Sequence, residues 1–284
     1  MKDRKPHSYI YIYIYISILV IIIILTPRAI ARFTTNKKYD GNINIKNHPG
    51  GRKLRDAIIE DNGGINAIKA KGTPDFSKIA TTKEGIFMAE DDYGESYYYR
   101  GMADNWVSFA GFYWRIIRIN GDSSIRLIYS GTKENHTGYY AQIGQYQYNR
   151  IDNNEKYANY KISNIKTIVD KWYKTNILEK GYDDKVADTG YCNDMTKKNT
   201  RDFDSYDRLF NYRMPILKCP NKANDLLSKS NNKLTYPIGL LTHDEASFGG
   251  GLYYDVNPTI DGYYKISPSE NQKYYLYIGP DFGL

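Results

Sequence analysis

The sequence predicts an α+β domain in which a mostly antiparallel sheet carries two or three packed helices and long loops, behind an N-terminal apolar segment. Three stretches indicate this class. Residues 112–129 have the pattern of a β-hairpin, residues 163–173 carry a helical apolar stripe, and residues 8–25 contain no charge. Tyrosine is also abundant, with 30 residues in a chain of 284. This composition suits a β-rich domain with a broad contact surface.

The first element is the uncharged run Ser8–Leu25. As an α-helix it would extend about 27 Å, close to the hydrocarbon thickness of a bilayer. Its Tyr-Ile alternation has the period of a strand, but a lone strand cannot satisfy its backbone hydrogen bonds in lipid. We therefore predict a transmembrane or signal helix. The alternative is a gene start placed too far upstream, because a two-base TA repeat is translated as Tyr-Ile.

Two fates of this leader stay open. Basic residues precede the apolar run, and residues 29–31, Ala-Ile-Ala, follow it with the small-x-small pattern of a signal-peptidase site. Residues 1–31 are therefore expected to be a membrane anchor or a signal peptide that is cleaved after Ala31. In the first case the domain is held outside the cell membrane by one N-terminal helix, and in the second it is secreted.

The remainder is predicted to be a tether followed by one domain. Residues 32–52 are rich in Asn, Lys and Gly and offer no apolar face to bury, so they are expected to be flexible. Residues 53–284 form a single extracellular α+β domain. It begins with a short helix to Asp61, and an irregular turn at Asn62–Gly64 follows.

From Gly85 the pattern becomes that of an antiparallel meander. Runs rich in β-forming residues at 86–89, 95–100 and 106–109 are separated by Asp, Gly or Asn clusters. In the next strand, strict alternation places Phe112, Trp114, Ile116 and Arg118 on one face and Tyr113, Arg115, Ile117 and Ile119 on the other. Asn120-Gly121 then starts a hairpin loop, because both residues tolerate positive φ. The second hairpin strand is expected at residues 125–129.

Two helices are predicted after the hairpin. Ser163 can cap a helix that ends at residue 173. Its apolar residues recur at helical spacing, so Trp172 is expected to face the core. Thr242 and Glu245 have the spacing of a capping box that starts a second helix. The Gly-Gly-Gly run that follows ends this helix.

Cys192 and Cys219 are the only cysteines, and they lie near the ends of a polar stretch from 181 to 218. In an exported chain two cysteines most simply form one disulfide, which stabilises by about 3–4 kcal/mol on the loop-entropy model. Two buried free thiols are the alternative. A zinc site would lack ligands, because no His or second Cys pair lies nearby. We therefore predict no metal and no cofactor.

The net charge of +7 is weak support for nucleic-acid binding. Residues 1–31 contribute +3 of it, which leaves +4 on a surface of mixed sign. Phosphate neutralisation requires clustered Lys and Arg. Nucleic acid is therefore not an expected partner.

The sequence contains no recognisable catalytic set. His243, Asp244 and Glu245 are residue types that perform acid–base chemistry. Acidic residues in the first turn of a helix also complement its dipole, so capping is the preferred interpretation. No nucleophile elbow, P-loop or dinucleotide-binding glycine motif occurs. Residues 135–137, Asn-His-Thr, match a glycosylation sequon.

Four segments in the same order carry a family resemblance: FAGFYWRIIRINGDSSIRLIYSG, TIVDKWY, DTGYCND with PILKC, and YPIGLLTHDEASFGGG. They resemble an uncharacterised domain that recurs in exported proteins of Gram-positive bacteria and is similar to the C-type-lectin-like, formylglycine-generating-enzyme-like fold. The resemblance covers residues 53–284. It implies that Trp114 and Trp172 are core positions, that Cys192 and Cys219 form a disulfide, and that residues 242–251 form a helix against the sheet.

The resemblance implies no catalytic residue. The sulfatase-activating enzymes of that fold use a reactive cysteine pair near the C-terminus, and no cysteine follows Cys219 here. Oxidase activity is therefore not expected. Members of the domain also continue past a Tyr-Leu-Tyr-x-Gly segment into strands that complete the sheet, whereas this sequence ends at Leu284, soon after YLYIG. We therefore expect a C-terminally incomplete domain with an exposed sheet edge.

These features favour a non-catalytic cell-surface binding or adhesion module for an extracellular glycan or protein. Its ligand surface is predicted on the loop from residue 194 to 213, where Tyr206, Asp207, Arg208 and Tyr212 combine stacking faces with hydrogen-bonding groups. One alternative is an extracellular enzyme on the same scaffold, which would need a concave pocket with convergent ionisable groups. Another is a truncated remnant without function.

Overall fold

A five-stranded antiparallel sheet organises the part of the chain that the computed structural model describes. The described residues are 53–82, 84–134, 138–144, 146, 163–194, 205, 207–251 and 273–277. The strands are β1 Gly85–Asp91, β2 Gly94–Arg100, β3 Trp106–Phe109, β4 Phe112–Ile119 and β5 Ile125–Tyr129. The predicted α+β class with a mostly antiparallel sheet is confirmed.

Strand β4 is the centre of the sheet. It pairs with β5 along one edge, and with β3 and β2 in turn along the other. The hairpin between β4 and β5 has the predicted bounds, while β1 and β2 are slightly longer than expected. The apolar runs therefore form a meander, in which β2 and β3 act as one interrupted strand beside β4.

A β-bulge in β4 overturns the predicted alternation of its side chains. Ile116 lies opposite Leu127 and Arg118 lies opposite Arg126, so Ile117 is an extra residue on β4. An inserted residue moves every following side chain to the other face of the sheet. Arg118 therefore does not share a face with Ile116, as strict alternation requires, but lies beside Arg126.

Two short helices precede the sheet, where the sequence predicted one helix and a turn. Helix α1 spans Leu54–Asp61, and α2 spans Gly64–Ala70. Gly63 links them with a φ of 88°, a conformation that glycine adopts without steric cost. Helix α1 buries one apolar face, and Ile68 of α2 is fully buried. The turn thus takes up two residues, and a second helix begins directly after it.

Helix α3, Asn164–Tyr173, begins as predicted. The Ser163 hydroxyl accepts a hydrogen bond from the Lys166 backbone N–H. Residues 174–178 extend the helix by one π turn. The Trp172 ring contacts those of Phe112, Trp114 and Tyr129, with centroids 5.3–6.0 Å apart. Trp114 is buried and Trp172 is half-buried, so α3 lies over one face of the hairpin.

The opposite face is covered by the last of the described helices. A short helix, α4 (Lys222–Asp225), leads into a two-stranded ladder of β6 (Tyr191–Cys192) and β7 (Leu226–Leu227), and α5 spans His243–Gly249. The capping box predicted for α5 is present. Phe248 of α5 packs edge-on against Tyr98 of β2, with centroids 4.5 Å apart. This contact holds the end of α5 against β2, and Glu245 in the first turn lies beside the arginines of β4 and β5.

Within the ranges given above, no helix is long and apolar enough to cross a bilayer. The predicted leader, residues 1–31, and the tether, residues 32–52, lie outside those ranges. The sequon at residues 135–137 also lies outside them.

Candidate functional site

The predicted binding loop presents a row of exposed apolar side chains. Arg213 has a left-handed φ of 52°, and after it Met214 and Ile216 are exposed while Pro215 and Leu217 are buried. The exposed fractions are 63% for Tyr212, 66% for Met214 and 36% for Ile216. A shallow depression of about 370 Å³ is lined by five residues, which we call the loop patch: Asp207, Arg208, Tyr212, Met214 and Ile216.

Arg208 fixes the base of the loop patch by binding two carboxylates. Its Nε donates to Asp244 Oδ1 at 2.9 Å, and its Nη2 donates to Asp244 Oδ2 at 2.6 Å. The same Nη2 donates to Asp194 Oδ2 at 2.6 Å. Asp244 Oδ1 also accepts a hydrogen bond from the Ile216 backbone N–H at 2.8 Å. Three chain segments therefore meet at one guanidinium, and Ile216 is held through Asp244. Bidentate pairs of this kind are both strong and directional.

The predicted disulfide restrains the same loop covalently. Cys192 and Cys219 are bonded, with their Cα atoms 5.4 Å apart. The Cys219 backbone N–H donates to Asp92 Oδ2 at 3.0 Å. Leu217 forms an isolated parallel β-bridge with Asp91, the last residue of β1. The loop patch is thus attached to the sheet directly behind it.

The four residues predicted to bind ligand have different positions. Tyr206 lies outside the described residues. Asp207 accepts a hydrogen bond from the Asn211 side chain within a π turn. Arg208 is engaged by its two carboxylates, so it positions the loop, and Tyr212 is open to solvent. Sequence reasoning missed Met214 and Ile216, because residues 214–217 are all apolar and only their burial separates the exposed from the buried ones.

A second ionic cluster lies between α5 and the sheet. Glu245 Oε1 lies 3.4 Å from Arg118 Nη2 and 3.4 Å from Arg126 Nε, and all three side chains are buried. Glu245 Oε2 accepts the Thr242 backbone N–H at 3.0 Å, which completes the capping box. Arg126 also donates to the Gly190 carbonyl. One carboxylate thus serves two buried guanidinium groups and a helix N-terminus.

The two neighbouring carboxylates of α5 differ electrostatically. Burial disfavours the charged form of Glu245, but Arg126 and Arg118 outweigh burial and lower the pKa of this carboxyl. Burial raises the pKa of Asp244, and Asp194 adds to that shift against the effect of the paired guanidinium. Glu245 faces two arginines and accepts hydrogen bonds from Thr242, whereas Asp244 shares its one arginine with a second carboxylate.

Acidic and basic side chains of both clusters converge on one small cavity. The cavity that Asp91, Asp244 and Glu245 share with the arginines measures about 30 Å³, which is about the volume of one water molecule. Glu245 and Arg126 also line the larger opening described next. No group of three or more His, Cys, Asp or Glu side chains that could hold a metal ion occurs among the described residues.

A larger opening, which we call the aromatic cleft, lies between β5 and α3. Its volume is about 500 Å³, within the range of small-molecule sites. Trp114, Tyr129 and Trp172 contribute aromatic rings, and Ile165 and Leu240 contribute aliphatic side chains. The sequence does not reveal this cleft, because it depends on the distance between two elements that are far apart in the chain.

Comparison with known protein families, curated proteins and solved structures finds no match for this chain.

Proposed function

We propose that this protein is an exported, non-catalytic binding module that contacts a protein partner through the loop patch. The observation that carries the proposal is the exposure of Tyr212, Met214 and Ile216 in one row on a fixed base. A contiguous exposed apolar patch rimmed by polar residues is typical of an interaction surface. Tyr and Met are also enriched at such interfaces.

The restraints behind the loop patch favour tight binding. Binding normally orders loops and side chains, at a free-energy cost of about 0.5–1.5 kcal/mol for each immobilised side chain. Here the disulfide and the Arg208–Asp244 pair hold the backbone before any partner arrives. The backbone of the loop patch is therefore ordered during folding, and binding does not have to order it again.

The chemistry of the loop patch supports a protein partner over a glycan. Sugar recognition uses aromatic faces together with free hydrogen-bonding groups. Among the described residues the loop patch has one exposed ring, Tyr212, and the guanidinium of Arg208 is already paired with carboxylates. Met214 and Ile216 offer apolar surface that an apolar side chain of a protein would cover.

Export and a C-type-lectin-like fold are parts of the same proposal. The Cys192–Cys219 bond supports export, because disulfides persist in oxidising compartments. The antiparallel sheet, with helices on both faces and a long loop closed by a disulfide, supports the fold assignment. Residues 1–31 would deliver the domain, as an anchor or as a cleaved signal peptide.

The test is binding of the labelled full chain to an array of extracellular proteins and, in parallel, to a glycan array. The double variant Met214→Ser/Ile216→Ser removes the apolar row without touching Arg208. We expect binding to at least one protein, and at least about tenfold weaker binding by the double variant. Met102→Ser is the matched control, because Met102 is 46% exposed but lies outside the loop patch.

Binding to glycans alone would contradict the choice of a protein partner. Equal binding by the double variant and the wild type would contradict the loop patch as the contact surface.

A further inference from the structure

The outer edge of β5 opens into the aromatic cleft. One edge of β5 pairs with β4, and no described backbone group pairs with the other edge. The eight consecutive residues Ser123–Ser130 all line the cleft. A strand that presents only one face to a cavity contributes alternate residues. The consecutive run therefore means that the strand edge itself faces the cleft.

The hydrogen bonds at the two ends of β5 show which backbone groups face outward. The Ser124 carbonyl accepts the Asn120 N–H at 2.8 Å, and the Ser130 N–H donates to the Tyr113 carbonyl at 2.9 Å. Backbone groups of a strand alternate in direction, so the even-numbered residues face β4. The odd-numbered residues point their N–H and C=O groups toward the cleft: Ile125, Leu127 and Tyr129.

This edge lacks the features that usually block edge-to-edge pairing. Natural edge strands carry Lys, Pro or outward charges, whereas β5 is Ile-Arg-Leu-Ile-Tyr. Its one charged residue, Arg126, is buried against Glu245 on the face opposite α3. The other four side chains are half-buried. An apolar wall, which includes Ile168 and Trp172 of α3, stands across the cleft.

We propose that β5 accepts an extended segment of another protein as an additional strand, with apolar side chains at alternate positions. A small apolar ligand would displace water from the N–H and C=O groups of Leu127 and Tyr129 without replacing their hydrogen bonds, which is costly. A second backbone at strand spacing satisfies all of these groups, and its alternate side chains enter the cleft.

The charges around the cleft indicate the flanks of this segment. Five basic residues line the cleft and one acidic residue does. Glu245 is engaged with Arg126, and Arg55 and Lys185 pair with Asp56 and Asp184. Lys53 and Arg115 are left as the cleft cations that have no ion pair among the described residues. The incoming strand should therefore carry acidic residues beside its apolar core. Pairing with all of β5 requires a segment of about five to seven residues.

This site is separate from the loop patch and does not depend on the function proposed above. Its probe is a ten-residue peptide with Ile or Val at alternate positions, Thr between them and Glu at both ends. One comparison peptide carries N-methyl groups on the backbone amides of one edge, and another carries Lys in place of Glu. Binding of each to the purified full chain is measured by fluorescence polarisation.

We expect the Glu-flanked peptide to bind and the N-methylated peptide to bind at least about tenfold more weakly, since lost backbone hydrogen bonds account for that factor. The Lys-flanked peptide should also bind more weakly. Amide exchange at Leu127 and Tyr129 should slow when the Glu-flanked peptide is added. Equal affinity of the N-methylated peptide, or no binding by any peptide, would overturn the proposal.

The matched variant is Leu127→Pro. It removes an N–H that points away from β4, so pairing within the hairpin is kept, as for prolines on natural edge strands. We expect binding of the Glu-flanked peptide to fall at least about tenfold, while Met214→Ser in the loop patch changes nothing. If Leu127→Pro does not fold, the N-methylated peptide and the amide exchange still decide. If the full chain is a dimer that Leu127→Pro makes monomeric, the occupant is a second copy and the proposal is wrong.

Discussion

Asp244 and Glu245 are adjacent in one helix, and each stabilises a different part of the molecule. On the loop side, Asp244 shares Arg208 with Asp194, and the disulfide restrains the same loop. On the sheet side, Glu245 is the one carboxylate among the described residues at ion-pair distance from both Arg118 and Arg126, while Asp91 lies in the same cavity. The loop side is therefore held redundantly, whereas the sheet side depends on one carboxylate. The two sides should respond differently to loss of a single charge.

The largest effect is expected from Glu245→Ala. It leaves two buried guanidinium groups without their counter-ion and removes half of the capping box. Breaking a buried ion pair from one side costs about 3–5 kcal/mol, which urea denaturation would measure. The control is Arg118→Met/Arg126→Met/Glu245→Leu, in which no charge remains, and it should cost much less. A loss below about 1 kcal/mol for Glu245→Ala would contradict the asymmetry.

The next effect is expected from removing the covalent restraint on the loop side. Cys192→Ala/Cys219→Ala should lower the free energy of unfolding by about 3–4 kcal/mol, because the bond closes a loop of 27 residues. The loss of unfolding free energy in this variant, compared with the loss in Asp244→Asn, shows how much the disulfide and the ion pair each contribute to holding the loop. Reducing the wild-type protein should reproduce the loss. An unchanged midpoint in denaturant would show that the ionic network suffices.

A smaller effect is expected from Asp244→Asn. The amide oxygen can still accept the Ile216 N–H, and Asp194 still pairs with Arg208. We expect a loss of about 1.5–3 kcal/mol, the range for one hydrogen bond to a charged group. Urea denaturation measures this loss, as for Glu245→Ala. A cost equal to that of Glu245→Ala would remove the distinction between the two sides.

The smallest effect concerns acid stability, and the two carboxylates act with opposite sign. The lowered pKa of Glu245 contributes stability above the ordinary value of 4.5, and this stability is lost as the pH falls through the folded-state pKa. The raised pKa of Asp244 means that the folded state takes up a proton more readily above 3.8, which opposes that loss. Stability curves between pH 3 and 6 should be flatter for Glu245→Gln and steeper for Asp244→Asn. Parallel curves for both variants and the wild type would contradict these signs.

Local patterns predicted much of the fold. The hairpin followed from its alternating apolar residues, helix α3 from its apolar stripe and the Ser163 cap, and α5 from Thr242 and Glu245. The cysteine count allowed a disulfide, and the structure contains it. Each of these signals lies within a few residues of the element it specifies, or depends on a count.

What the sequence did not reveal depends on long-range pairing. The bulge at Ile117 sets the face of Arg118, and nothing in the β4 sequence marks it. The interpretation of Asp244 and Glu245 as capping residues was incomplete, because their arginine partners lie far away in the chain. The aromatic cleft likewise requires the placement of α3 against β5. Of the candidate site, Tyr212 was identified, while Met214 and Ile216 needed the burial of their neighbours.

Amide hydrogen exchange at Ile216 in the oxidised full chain tests the central claim, that the loop patch is fixed before it binds. The Ile216 N–H donates to Asp244 Oδ1 at 2.8 Å, and the same oxygen accepts a hydrogen bond from Arg208. This bond therefore reports whether the backbone of the loop patch is held by its ionic base. We predict slow exchange in the wild type and at least about tenfold faster exchange in Asp244→Asn, in which the accepting charge is lost. Exchange in the wild type as fast as in an unstructured peptide would contradict the claim.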